Sequence, residues 1–272
     1  MRAPRWLVLK AVPILAACAT LLGCGAQEVQ RPSQSDTLRA YQPRFDEVRR
    51  KLVQVESLLP AGRAGEDSCD AKPPLSPMLN YQGGSVGTND RAGNNTEVVM
   101  EPALQAPDTV LVDNVDVFAY DGATELVQSL RWTGPHGPLG EDRFTLNPPA
   151  PQWEERHDRE LRATLEQGLS TQYLVVLRVA EYSPPESGDG RTKPLGYSGR
   201  VVLDGFVVDL RQLKLLCRFT AGDEYSGLAV INIRPGQGWA SRIYEELQQG
   251  AGYEIAGKLG ALTGGTAEPP QQ

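Results

Sequence analysis

Tyr173-Leu174-Val175-Val176-Leu177-Arg178-Val179 decides the fold. The run is too short for a typical amphipathic helix, is rich in β-branched and aromatic types, and carries apolar side chains on both alternating sets. A strand apolar on both sides belongs in the middle of a sheet. After a Pro/Gly-rich loop over 183–196, residues 200–210 and 213–219 read as two strands joined at Arg211-Gln212. In the second, Leu213, Leu215, Cys217 and Phe219 point one way and Lys214 and Arg218 the other. Residues 228–233 read as an edge strand before Pro235. Upstream, Val110, Val112, Val115, Val117 and Phe118 read as a strand broken near Asp113-Asn114, and 125–132 as another that stops at Gly134-Pro135.

Helices flank these strands. Phe45, Val48, Leu52, Val55 and Leu59 recur at spacings of three and four, predicting a helix over 43–59 with Pro43 near its first turn. Its apolar stripe is too short for a stable isolated coiled coil, so it is expected to pack on its own domain. Residues 153–167 read as a second helix, with His157, Leu161 and Leu165 on one face and Gly168 as its C′ residue. Trp239, Ile243, Leu247, Ala251, Ile255 and Leu259 mark a third. Residues 60–107 lack a regular pattern and hold many prolines and glycines. The expected fold class is α+β: an antiparallel sheet of about four to five strands, helices on one face, and long Pro/Gly-rich loops. Gly and Pro make up 49 of the 272 residues, in keeping with that much loop.

The amino terminus carries a different message. Arg2, Arg5 and Lys10 precede an apolar stretch over 11–22, and small Gly23 precedes Cys24, the order of a secretory signal. Lys10 and Pro13 argue against a membrane-spanning helix, which needs about 20 apolar residues. Leu21-Leu22-Gly23-Cys24 resembles the lipobox of bacterial lipoproteins. The resemblance covers the signal alone, and it implies cleavage before Cys24 and acylation of that cysteine. Gly25, rather than Asp, after the cysteine is similar to lipoproteins released to the outer membrane. Leu15-Ala16-Ala17-Cys18 is a competing match with better small residues, but it leaves a short apolar region and puts Ala19 to Leu22 in the mature protein. Residues 130–135 and 173–219 resemble uncharacterised bacterial envelope lipoproteins, which implies compartment and fold but no activity. The expected organisation is a signal peptide over 1–23, a polar tether over 24–36, one periplasmic domain over 37–262 and a disordered tail over 263–272.

With Cys18 and Cys24 in the signal region, Cys69 and Cys217 remain, and in an exported chain they are expected to form a disulfide. Beyond residue 23 the chain has 24 basic against 34 acidic residues, and no dense run of Lys or Arg. Nucleic acid is therefore not an expected partner.

Catalytic signals are sparse. Gly83-Gly84-Ser85-Val86-Gly87 matches a nucleophile-elbow string, yet its flanks are Pro-rich on one side and polar on the other, without the strand and helix that make the elbow work. His157-Asp158 are neighbours in a helix and point about 100° apart. His157 reads as lining the edge of the core, and His136, in Gly134-Pro135-His136-Gly137-Pro138, as a turn residue. Asp113, Asp116 and Asp121 have the wrong spacing for a calcium loop, and Asn89, Asp90, Asn94 and Asn95 read as a solvated turn. Trp132, Trp153 and Trp239 read as packing residues. No cofactor, metal or catalytic residue is expected. The sequence points to a lipid-anchored outer-membrane protein whose domain binds an envelope partner without catalysis. A small-ligand carrier with a pocket under the last helix and an envelope hydrolase are the alternatives.

Overall fold

Ser33 caps the first helix. Its hydroxyl accepts the Asp36 amide at 3.1 Å and donates to the Asp36 carboxylate at 2.6 Å, satisfying a donor that the helix itself cannot. Helix α1 follows over Gln34–Leu58 in the computed structural model, which describes residues 33–75, 95–105, 125–140, 146–188, 196–227 and 238–264. Next come β1 (Ser68–Cys69), β2 (Thr96–Met100), a 3-10 turn (Glu101–Leu104), α2 (Glu125–Thr133), a second 3-10 turn (Ala150–Gln152) and α3 (Glu155–Ser170). The chain then forms β3 (Tyr173–Gly188), β4 (Gly196–Asp209), β5 (Lys214–Gly227) and α4 (Trp239–Thr263). The five strands make one sheet in the order β1-β5-β4-β3-β2, antiparallel except for the parallel β2–β3 pair. This is an α+β fold with a sheet of about five strands.

Helices cover both faces, not one. Val175, Leu177, Val201, Leu203 and Val207 pack on one side against Ile243, Leu247, Ile255 and Leu259 of α4. Leu174, Val176, Phe206 and Val208 pack on the other against α1, α2 and α3, through Phe45, Leu52, Leu130, Leu161 and Leu165. The double apolarity of β3 requires this, since a strand with one face in water would leave half those side chains unburied.

Several elements depart from the sequence reading. Helix α1 begins at Gln34, with Pro43 inside it, so the expected tether over 24–36 gives its last three residues to the helix. Thr37 and Leu38, at 1% and 0% exposure, show why: burial of this first stretch offsets the hydrogen bond missing at proline. Residues 125–132 are helical rather than extended, because Leu126, Leu130 and Thr133 bury one helical face. Gly168 lies within α3 instead of ending it. A Cβ there would meet the Glu125 carbonyl oxygen at 2.9 Å and the Ser129 Oγ at 3.0 Å, so this glycine lets α2 and α3 approach closely. Strand β2 lies in the stretch expected to be loop, and β3 continues through Pro184 and Pro185 at a break in register between Ser183 and Glu186.

In β5 a register shift opposite Val207 and Val208 turns the alternation over. Leu213 and Leu215 therefore pack on the three-helix side, and Cys217 and Phe219 on the α4 side, instead of all four sharing one. Thr263 belongs to α4 and is buried, its hydroxyl donating to the Leu259 carbonyl at 2.6 Å, rather than opening the tail. The strands expected over 108–118 and 228–233 and the rest of the tail, 265–272, lie outside the described residues.

Gly205 sits opposite Phe219, whose ring lies over it. A Cβ at this position would come within 2.2 Å of the ring. Gly205→Val is expected to destabilise the domain by about 3 kcal/mol or more through overpacking. Gly257→Ala, exposed in α4 with nothing within 4 Å of the new methyl, is expected to stabilise it by about 0.5–1 kcal/mol. Urea unfolding of the two variants measures both signs.

Candidate functional site

Charge enters the sheet where the apolar rows end. Arg178 of β3 is the cross-strand partner of Asp204 of β4, which in turn pairs with Thr220 of β5. The row lies on the three-helix face, with the Arg178 guanidinium 5.1 Å from the Phe206 ring centre. Asp204 is fully buried. Its Oδ2 accepts Arg63 Nε at 2.9 Å and its Oδ1 accepts the Thr220 hydroxyl at 3.0 Å. Arg178 donates Nε to Glu101 Oε2 at 2.6 Å and Nη2 to Glu101 Oε1, while Nη1 reaches the carbonyls of Pro60 at 2.6 Å and Gly62 at 3.0 Å. The hydrogen bonds to Glu101 hold the Arg178 guanidinium above its ordinary pKa, against the opposing pull of burial.

These contacts fasten a strap. Residues 59–75 leave the end of α1, bury Ala64 among the three helices and pass around the outer edge of β5. There Ser68 and Cys69 pair with Arg218 and Cys217 as β1, and the Asp70 amide donates to the Leu216 carbonyl at 2.8 Å. Leu75 then joins the core on the α4 side. Asp67 accepts the Thr220 amide at 3.0 Å and Lys258 Nζ of α4 at 2.5 Å. Burial pushes the Asp67 carboxyl up, but the Lys258 and Thr220 hydrogen bonds outweigh it and hold the group below its ordinary value. The Cys69 and Cys217 sulfurs are 2.06 Å apart, a disulfide that closes a sequence separation of 148. The pair expected from cysteine arithmetic is thus brought together.

The other candidates are dispersed. His157 is the third residue of a capping box, its Nδ1 accepting the Glu154 amide at 3.0 Å with its ring 5.5 Å from that of Trp153. Asp158 turns away from it into the helix interface, where Thr37 donates to Oδ1 and Arg162 Nε donates to Oδ2 at 2.7 Å. The two are therefore no base-and-acid couple. His136 lies in the turn after α2, Trp132 and Trp153 pack on the three-helix side, and Trp239 on the α4 side. Asn95 gives Nδ2 to the Pro74 carbonyl at 2.9 Å. Cys24, Ser85, Asn89, Asp90, Asn94, Asp113, Asp116 and Asp121 lie outside the described residues.

Among the described residues no group of three or more His, Cys, Asp or Glu is placed to hold a metal ion, and no helix is long and apolar enough to cross a membrane. The Arg178–Asp204–Thr220 row was not read from the sequence. Arg178 inside an apolar strand and Asp204 inside another were its only signals. Chemically, the arrangement neutralises and clamps: each ionised group is matched by one of opposite sign within hydrogen-bond reach. No family model, curated protein or solved structure matches the chain.

Two outcomes test the clamp. Replacing Arg178 by Ala leaves Glu101 and the Pro60 carbonyl without their donor and is expected to cost about 3 kcal/mol, with Arg178→Lys recovering less than half, since an ammonium cannot make the forked contact. Cys69→Ala/Cys217→Ala is expected to lose up to about 5 kcal/mol, the chain-entropy value for a loop of this length. Denaturant titration reads both, and alkylation with mass spectrometry under non-reducing conditions is expected to label neither Cys69 nor Cys217.

Proposed function

We propose that this chain is an exported bacterial lipoprotein, held at the outer membrane through acylated Cys24, whose periplasmic α+β domain acts by binding an envelope protein partner rather than by catalysis. The leader carries this reading: three positive charges, an apolar stretch and Leu21-Leu22-Gly23-Cys24, in that order. More than one acyl chain makes such anchoring stable, at about 0.8 kcal/mol per buried CH₂. The Cys69–Cys217 bond supports export, because structural disulfides persist in oxidising compartments.

A binding role is supported by the way the ionisable groups are spent. Those at the centre of the fold clamp the strap, and His157 caps a helix. A carrier pocket between α4 and the sheet finds less support, since Ile243, Leu247, Ile255 and Leu259 are 0–1% exposed against sheet side chains.

Cys24→Ala is expected to move the protein from the membrane fraction to a soluble or unprocessed form, whereas Cys18→Ala leaves fractionation unchanged. Fractionation with mass spectrometry of the amino-terminal peptide measures this. A mature-sized Cys24→Ala band still in the membrane pellet overturns the reading. Crosslinking in intact cells then identifies the partner.

A further inference from the structure

The tether is short beside the helix it leads to. Nine residues, 25–33, separate Cys24 from Gln34, the first residue of α1. Nine residues reach at most about 30 Å. Helix α1, with 25 residues, is itself about 37 Å long. Resting on the anchoring reading, we propose that the end of the domain formed by the first halves of α1 and α3 lies against the phospholipid headgroups, while the far end of α1 and the strap face away.

The chemistry of that end suits a lipid surface. Thr37 meets Asp158 and Arg44 meets Glu166, so α1 and α3 run side by side in the same direction from the point where the tether enters. At that end they display three exposed arginine–carboxylate pairs, Arg39–Asp36, Arg156–Glu154 and Arg159–Glu155, while Arg162 pairs with the buried Asp158 and Arg44–Glu166 lies further along. Glu160 adds one further acid. Such paired charges can be exchanged for headgroup partners, guanidinium to phosphate and carboxylate to ammonium, with little net repulsion.

The chain beyond residue 23 has ten more acidic than basic residues, so a bilayer carrying anionic lipid repels the rest of the molecule more than it repels this end. Gln34 Nε2 and Trp153 Nε1, both at this end, are buried donors with no acceptor among the described residues, and a water held beneath the headgroups supplies one. A charge-balanced surface binds weakly by itself. The tether makes the contact intramolecular, and its short length sets the effective concentration.

The test uses the full lipidated chain in vesicles of phosphatidylethanolamine and phosphatidylglycerol, with a photoreactive benzophenone side chain placed at Arg159 or, for comparison, at Glu186 of β3. Lipid adducts are counted by mass spectrometry. At least fivefold more adduct is expected at position 159. Inserting about twenty Gly/Ser residues after Gln30 is expected to lower that yield about fivefold, following the −3/2 power of tether length. Equal yields at the two positions, or a yield at 159 unmoved by the insertion, overturns the orientation. The acyl mass on Cys24 is read in the same sample. Its absence withdraws the anchoring itself, whereas an acylated protein with equal adducts withdraws only the inference about which end faces the bilayer.

Discussion

Leu174, Val175, Val176 and Leu177 are all fully buried, and a strand buried on both sides is stable only when both sides are roofed. Everything else in the architecture answers that demand. Each such side chain stabilises the fold by about 1.5–3 kcal/mol only while its own roof is in place. Helix α4 supplies one roof, and α1, α2 and α3 the other. One consequence concerns α1. Leu38, Phe45, Leu52 and Val55 are 0–2% exposed, so this helix is part of the core and cannot serve as a detachable docking arm. Any partner must read its outer face, or another surface altogether.

The second roof ends before the sheet does, and the polar row marks the place. Val176, Phe206 and Val208 are apolar beneath the helices. One step along the strands come Arg178, Asp204 and Thr220, and further out Arg200 lies between Glu181 at 3.4 Å and Glu224 at 3.8 Å, all exposed. Burying Asp204 would be costly in an apolar setting, and its position at this border lets the strap bring Arg63 to it from the solvent side. The strap also closes the edge of β5. Outward amides of that strand end on carboxylates, Thr220 on Asp67 and Gly222 on Glu254 at 2.5 Å, which leaves those donors spent and discourages pairing with another strand.

How much of this the sequence discloses depends on whether the deciding interaction is local. The helical stripe from Phe45 to Leu59, the α4 series from Trp239 to Leu259 and the run from Tyr173 to Val179 are periodic and were readable. The disulfide was readable by elimination among four cysteines. What failed was set by contacts distant in the chain. Residues 125–132 form a short apolar run that fits strand or helix alike, and the choice falls to Gly168, some forty positions away, which admits α2 against α3. The face of Leu213 and Leu215 depends on a bulge that no alternation pattern shows. The both-sided apolarity of β3 already implied two roofs, and the expectation of helices on one face conflicted with it. The clamp was least legible, because an arginine and an aspartate in separate strands become partners only once the register is known.

The strap depends most on the disulfide. Without it, the strap is held by Arg63–Asp204, with Arg63 half exposed, by Lys258–Asp67, by Arg178 at its root and by the burial of Ala64 and Leu75. The Lys258–Asp67 pair, partly exposed on both sides, contributes little, about 0–1 kcal/mol, and less as salt rises. The chain-entropy contribution of the Cys69–Cys217 link exceeds that pair several-fold. A chain kept among cytosolic thiols would forgo that contribution, and the β5 edge would then rest under a loosely held cover. An oxidising compartment is therefore the setting in which this sheet edge is best protected.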